Sequence, residues 1–183
     1  RVEKRPFMSR DRSTVYYLYE SDKVLVEKSA DGIYTRNIYG TSLISRWTGK
    51  KETQVAGASH SVDIRYYEKA YYQYNGQADV VRLSDEAGST LASYTYDAFG
   101  NITSQSGNLS NPYRYRGYSY DEESKLYYLN ARYYNADIAR FISEDSYKGD
   151  VTDPLSLNLY VYCLNNPIRY VDPTGYFQEK DNT

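Results

Sequence analysis

Tyr96-Asp97-Ala98-Phe99-Gly100-Asn101-Ile102-Thr103 decides how the chain is read, because its opening phrase returns at a nearly fixed interval. Tyr74-Asn75-Gly76 precedes it by 22 residues and Tyr120-Asp121 follows it by 24. Upstream, Tyr19-Glu20 and Tyr39-Gly40 stand 20 residues apart. The 35 residues from Tyr39 to Tyr74 accommodate one repeat and an insertion. Self-similarity at roughly 20–25 residues marks a repeat architecture.

Composition points the same way. Tyrosine supplies 25 of the 183 residues and phenylalanine four, so much of the apolar content carries a hydroxyl. Such a chain builds a thin shell rather than a thick aliphatic core, since each tyrosine buries a ring and keeps a polar tip for water or a partner. The net charge of -2 is too small to steer a partner. No Lys/Arg block suggests nucleic-acid binding, and no apolar run is long enough to span a membrane. One cysteine, Cys163, and one histidine, His60, exclude an intrachain disulfide and argue against a Cys/His metal site. No cofactor is expected. The charged start, Arg1 to Pro6, does not read as a signal peptide. The pattern is already under way at Tyr16-Tyr17-Leu18-Tyr19, so the chain reads as the C-terminal part of a longer protein.

The segments between turns read as short strands. They are 15–19, 23–27, 34–39, 42–46, 65–67, 70–74, 79–83 and 90–96, rich in β-branched and aromatic residues and bounded by turn signals such as Ser21-Asp22, Ala30-Asp31-Gly32 and Asp85-Glu86-Ala87-Gly88. No segment sustains a 3.6-residue apolar period; 139–141 reads as a helical turn at most. Residues 48–63 break the rhythm and read as a surface loop or an elongated hairpin. Residues 104–112 read as a polar joint, with a domain boundary near 110. The expected fold is all-β: a curved antiparallel sheet of hairpins over 1–110, a compact tyrosine-rich plug over 111–176 and a short tail, 177–183. An open sheet exposes an edge, so self-association or an added partner strand is expected there.

The repeated phrase resembles the YD repeats of the Rhs family. From Asn111 onward the likeness is more specific, through Arg114-Tyr115-Arg116-Gly117, Leu126 to Asn135, Arg140-Phe141-Ile142-Ser143-Glu144-Asp145, Asn158 to Pro167 and Tyr170-Val171-Asp172-Pro173-Thr174-Gly175. In this order they resemble the Rhs-repeat-associated core domain of bacterial polymorphic toxins and wall-associated proteins. The resemblance implies a spiral β-shell closed by the core domain, secreted or on the bacterial surface and serving competition between bacteria. Its implied partners are upstream shell repeats, a C-terminal toxin domain and that toxin's immunity protein. The seven residues after Gly175-Tyr176, Phe177 to Thr183, are too few to be a toxin domain themselves.

In many members the core domain cuts its own chain just after Asp-Pro-x-Gly-x by an aspartyl-protease-like reaction. Such hydrolysis needs one carboxylate to activate water and a second carboxyl to protonate the carbonyl, and neighbouring carboxyls split their pKa values. By motif position the resemblance assigns Asp145 and Asp172 as the pair, Arg140 as the cation that orients one of them, and Tyr176–Phe177 as the scissile bond. Here Asp145-Ser146 replaces the commoner Asp-Pro, and an insertion brings in Asp153-Pro154, so Asp145 and Asp153 both stand as the first carboxylate. The structural alternative is that these aspartates cap turns. The chain would then be a non-cleaving structural or adhesive module.

Overall fold

The computed structural model describes residues 2–4, 15–51, 64–152, 154–176 and 179–180. The described residues are all-β apart from short 3₁₀ turns. The strands are β1 (Val2–Lys4), β2 (Val15–Glu20), β3 (Lys23–Ser29), β4 (Ile33–Tyr39), β5 (Leu43–Lys51), β6 (Ile64–Tyr74), β7 (Val80–Ser84), β8 (Thr90–Tyr96) and β9 (Ile102–Gly107), which neighbour one another in chain order in one nine-stranded sheet. A four-stranded antiparallel sheet follows, made of β10 (Ser119–Asp121), β11 (Leu126–Tyr128), β12 (Tyr133–Asn135) and β13 (Arg140–Phe141), and then a pair, β14 (Tyr170–Val171) with β15 (Glu179–Lys180).

The repeated tyrosine has a fixed structural place. The register slips between Leu18 and Tyr19, between Ile38 and Tyr39, and between Thr95 and Tyr96, so a bulge falls immediately before the repeat tyrosine. A bulge adds one residue to one strand and sharpens its twist. The residue after the tyrosine then folds the turn. Asp97 accepts the N–H groups of Phe99 and Asn101, both at 2.9 Å. Asn75 does the same for Gln77 and Asp79; Asp85, which follows Ser84 rather than a tyrosine, caps its turn in the same way through Ala87 and Ser89. One side-chain oxygen thus satisfies two N–H groups that the turn takes out of the ladder.

Four readings change or sharpen. Of the 48–63 segment, 48–51 is strand: β5 runs to Lys51 and pairs with β6, with Thr48 opposite Glu68 and Lys51 opposite Ile64. This is the elongated-hairpin alternative; residues 52–63, His60 included, lie outside the described residues. The polar joint begins later than expected, because Ile102–Gly107 is strand β9. Its alternation is hidden, since its partners are hydroxyls: Thr95 bonds Thr103 and Ser93 bonds Ser106, each at 2.8 Å. Tyr160-Val161-Tyr162-Cys163 alternates as a strand would, yet Cys163 lies in a 3₁₀ turn, Cys163–Asn165, whose three residues all have positive φ. The expected helical turn at 139–141 is a β-turn, with Ala139 N–H bonded to Ala136 O, leading into β13.

Contacts divide the chain into two compact units, Arg1–Tyr72 with Ser84–Ser89, and Gln73–Leu83 with Thr90–Thr183. In the first, Glu27 takes both forks of the Arg46 guanidinium at 2.9 and 3.0 Å. Trp47 meets Tyr66 edge-on, with the Lys69 ammonium 4.7 Å over its ring. The second unit holds a core of Tyr115, Tyr118, Tyr127, Leu129, Tyr134, Ala136, Phe141, Tyr162 and Cys163. Its phenols grip the Asp97–Gly100 turn. Tyr115 donates to Ala98 O at 2.8 Å, Tyr134 to Phe99 O at 2.8 Å, and Tyr127 to Gly100 O at 2.9 Å. Buried rings pack while their hydroxyls satisfy three consecutive carbonyls, so a turn with no ladder partners is paired without water.

Candidate active site

Asp172 follows β14 and opens a tight turn, Asp172-Pro173-Thr174-Gly175. Its Oδ1 accepts the N–H of Gly175 at 2.7 Å and of Thr174 at 3.3 Å. Its own carbonyl accepts the Tyr118 hydroxyl at 2.9 Å. Gly175 has φ +74, and a Cβ there would stand 2.3 Å from the Leu129 carbonyl, so only glycine fits this turn against the β11–β12 loop. That loop returns the grip. Ala131 N–H donates to Thr174 O at 3.2 Å, and the Asn130 amide to Pro173 O at 3.3 Å.

Arg132, from the same loop, is 6% exposed and lies at the centre of the site. Its Nη2 is 2.7 Å from Asp145 Oδ2 and 3.6 Å from Asp172 Oδ2. Its Nε donates to the Gly175 carbonyl, its Nη1 to Leu159 O at 3.3 Å, and its guanidinium lies 3.7 Å from the Phe141 ring centroid. One planar cation therefore touches both carboxylates and the backbone that leads into Tyr176. A planar five-donor fork can do this; a lysine cannot.

Asp145 follows β13. Its N–H donates to Leu159 O and its Oδ1 accepts the Tyr147 N–H, both at 2.9 Å. Beside it opens a cleft of about 100 Å³, shared by Asn158, Leu159, Leu164 and the exposed Tyr176. The two carboxyls therefore differ in environment. Asp172 is 2% exposed, and burial pushes its carboxyl above the ordinary aspartate range despite the Gly175 N–H and Arg132. Asp145 reaches the cleft. Environments that set two carboxyls apart suit one acid and one base.

Asp145 and Asp172 are thus brought together, through a shared arginine. The cation between them is Arg132, whereas Arg140 bonds Ala139 O and Asn165 Oδ1, both at 2.7 Å. The sequence held a signal for Arg132: a lone cation inside Leu126 to Tyr134, a run otherwise apolar or neutral, has to be paired if the run is buried. Asp153 and Phe177 lie outside the described residues. Among the described residues no group of three or more acidic, His or Cys side chains could hold a metal ion, and no helix is long and apolar enough to cross a membrane.

No protein-family model matches the chain. It is 38% identical over 178 residues to the tRNA3(Ser)-specific nuclease WapA of Bacillus spizizenii, an alignment that covers 91% of this chain and 8% of WapA. In sequence the chain is similar to Rhs-type toxins. It is also 33% identical over 110 residues to the toxin protein Tse5 of Pseudomonas aeruginosa, covering 58% of this chain and 8% of Tse5. In fold it matches the TcdB2-TccC3-Cdc42 crystal structure with a TM-score of 0.67, at 22% identity, over 90% of this chain and 8% of that one. The chain spans less than a tenth of the length of each.

Proposed function

We propose that this segment closes an Rhs-type β-shell that encloses and presents a C-terminal toxin, and that it hydrolyses its own chain after Tyr176. The observation that carries the second part is the pairing of a buried Asp172, its carboxyl pushed up by burial, with a cleft-facing Asp145 across Arg132. Sequence similarity to the Rhs-type toxins supports the first. Asp145 takes a proton from water in the cleft, and the water oxygen attacks the Tyr176 carbonyl carbon. Asp172 gives its proton to the carbonyl oxygen. The tetrahedral adduct collapses with a proton passed to the Phe177 nitrogen, the C–N bond breaks, and Tyr176 is left with a new carboxyl. Arg132 holds the Gly175 carbonyl and so fixes the strand that enters the site.

The partners in this reading are the upstream shell repeats, the toxin domain and the toxin's immunity protein, and the assembly is exported or displayed on the cell surface. The open sheet edges take an upstream strand or a second copy; a monodisperse monomer at high concentration by light scattering would exclude the second copy.

Intact mass spectrometry of the purified chain, beside Asp172→Asn and Asp145→Asn, tests cleavage. The expected result is loss of Phe177–Thr183 in the wild type and an uncut chain in both variants. Asp172→Asn keeps an oxygen for the Gly175 N–H, so the turn survives while the acid is lost. The reactive form has Asp172 protonated. Its raised pKa keeps that form to higher pH than an ordinary aspartate would, and the rate falls as pH rises through it. A wild-type chain that stays whole after long incubation at mildly acidic and neutral pH would favour the second reading, a non-cleaving plug. The double N–H grip on Asp172 Oδ1 is what that reading rests on.

A further inference from the structure

Most of the tyrosine rings that touch in the second unit are sealed in its core, but Tyr128 and Tyr133 are not. They are cross-strand partners in β11 and β12, 40% and 38% exposed, with ring centroids 5.0 Å apart and planes tilted by 41°. Among the described ring pairs of this unit, Tyr134–Tyr162 at 4.2 Å and Tyr120–Tyr127 at 4.9 Å stand closer, yet Tyr134, Tyr162 and Tyr127 are at most 1% exposed and out of reach of any reagent in solution. At 5.0 Å two rings are in van der Waals contact, and the ladder on either side holds them there.

We propose that Tyr128 and Tyr133 form an oxidative modification site, joined as a dityrosine by a peroxide-driven one-electron oxidant such as a haem peroxidase. Each phenol loses one electron and its hydroxyl proton to give a phenoxyl radical, whose spin density lies partly on the carbons ortho to the oxygen. The two radicals couple at those carbons. Each coupled carbon then sheds its hydrogen as a proton while a phenol oxygen regains one, which restores both rings. In total two electrons and two protons leave, reducing one hydrogen peroxide to two waters. A biaryl is itself twisted about its new bond, so the observed tilt does not oppose coupling. The link would close the loop that carries Asn130, Ala131 and Arg132, the residues that hold the Pro173–Gly175 turn. A chain oxidised after folding would therefore have that loop locked.

The test is to treat the folded chain at low concentration with horseradish peroxidase and hydrogen peroxide, then digest it with trypsin. Trypsin cuts after Lys125, Arg132 and Arg140, which separates Tyr128 from Tyr133. The expected product is peptide 126–132 joined to peptide 133–140, lighter than their sum by two hydrogens, with fragment ions placing the bond at Tyr128 and Tyr133 and dityrosine fluorescence in the intact monomer. Tyr128→Phe and Tyr133→Phe should each reduce that species to background while keeping the wild-type circular dichroism. Tyr147→Phe, an exposed tyrosine elsewhere on the surface, should leave it unchanged. Coupling only between molecules, linkage at another pair, or undiminished signal in Tyr128→Phe would overturn the proposal.

Discussion

Three turns share a left-handed residue three positions after the capping side chain: Ala78 after Asn75, Gly88 after Asp85 and Gly100 after Asp97, with φ of 61°, 83° and 94°. Two are glycine and one is alanine, although the chain path is the same. The left-handed conformation costs an L-residue roughly 1–2 kcal/mol, partly offset on mutation by the greater freedom of glycine in the unfolded chain. Ala78→Gly is therefore expected to raise the unfolding free energy by roughly 0.5–1 kcal/mol, read as a higher urea midpoint at unchanged slope. A lower midpoint would mean that Ala78 does not adopt this conformation in solution. Gly100→Ala is expected to act in the opposite sense. Its Cβ would stand 2.6 Å from the Tyr115 ring, and Tyr115 cannot retreat without giving up its bond to Ala98. Strain at φ +94° adds to that clash, and a loss of more than about 2 kcal/mol is expected.

Among the elements, β9 shows most clearly what a one-chain reading can reach. Strands with alternating aromatic and β-branched residues, such as 90–96, were legible to the residue, because burial of one face leaves a period of two in the sequence. Ile-Thr-Ser-Gln-Ser-Gly leaves no such trace: from Thr103 to Gly107 every residue is exposed, and what holds the strand is its ladder to β8 and the two hydroxyl pairs. The same limit applies at the site. Asp172 and, as alternatives for the first carboxylate, Asp145 and Asp153 were picked out by a motif that fixes order along the chain. For Arg132 the sequence signals only a cation that has to be paired; which groups it pairs with depends on the β11–β12 loop folding over the Asp172 turn, a contact between segments far apart in sequence. The β9 interaction is measurable. Thr95→Val and Thr103→Val should each cost about 0.5–1 kcal/mol, because each leaves its partner hydroxyl with only water to bond. The double variant should cost less than the sum, and strict additivity in the cycle would show that the hydroxyl pair contributes nothing.

At the scale of the second unit, a core built from tyrosine makes stability depend on pH where a leucine core would not. Burial pushes the Tyr115 phenol up to about 12, and also raises those of Tyr118, Tyr127, Tyr134 and Tyr162 above the ordinary value. The cause is desolvation, since a phenolate in this core would lose its water. Ionisation would also break bonds, because Tyr115, Tyr134 and Tyr127 donate to the Asp97–Gly100 turn and Tyr118 to Asp172 O, and a phenolate cannot donate. The sign follows from proton counts. An unfolded tyrosine loses its proton near about pH 10, so above that pH the unfolded chain binds fewer protons than the folded one and unfolding is favoured as pH rises. The contribution of these phenols is whole below about pH 10 and is lost as pH climbs toward their folded values, by up to about 1.4 kcal/mol per pH unit for each linked tyrosine. Urea titrations across this range, followed in parallel by phenolate absorbance, should show exposed tyrosines ionising first. The buried set should ionise only together with loss of tertiary circular dichroism. Reversible ionisation of every tyrosine with the fold intact would mean that the core admits water, and that the grip of its phenols on the repeat turn is not what joins that turn to the C-terminal module.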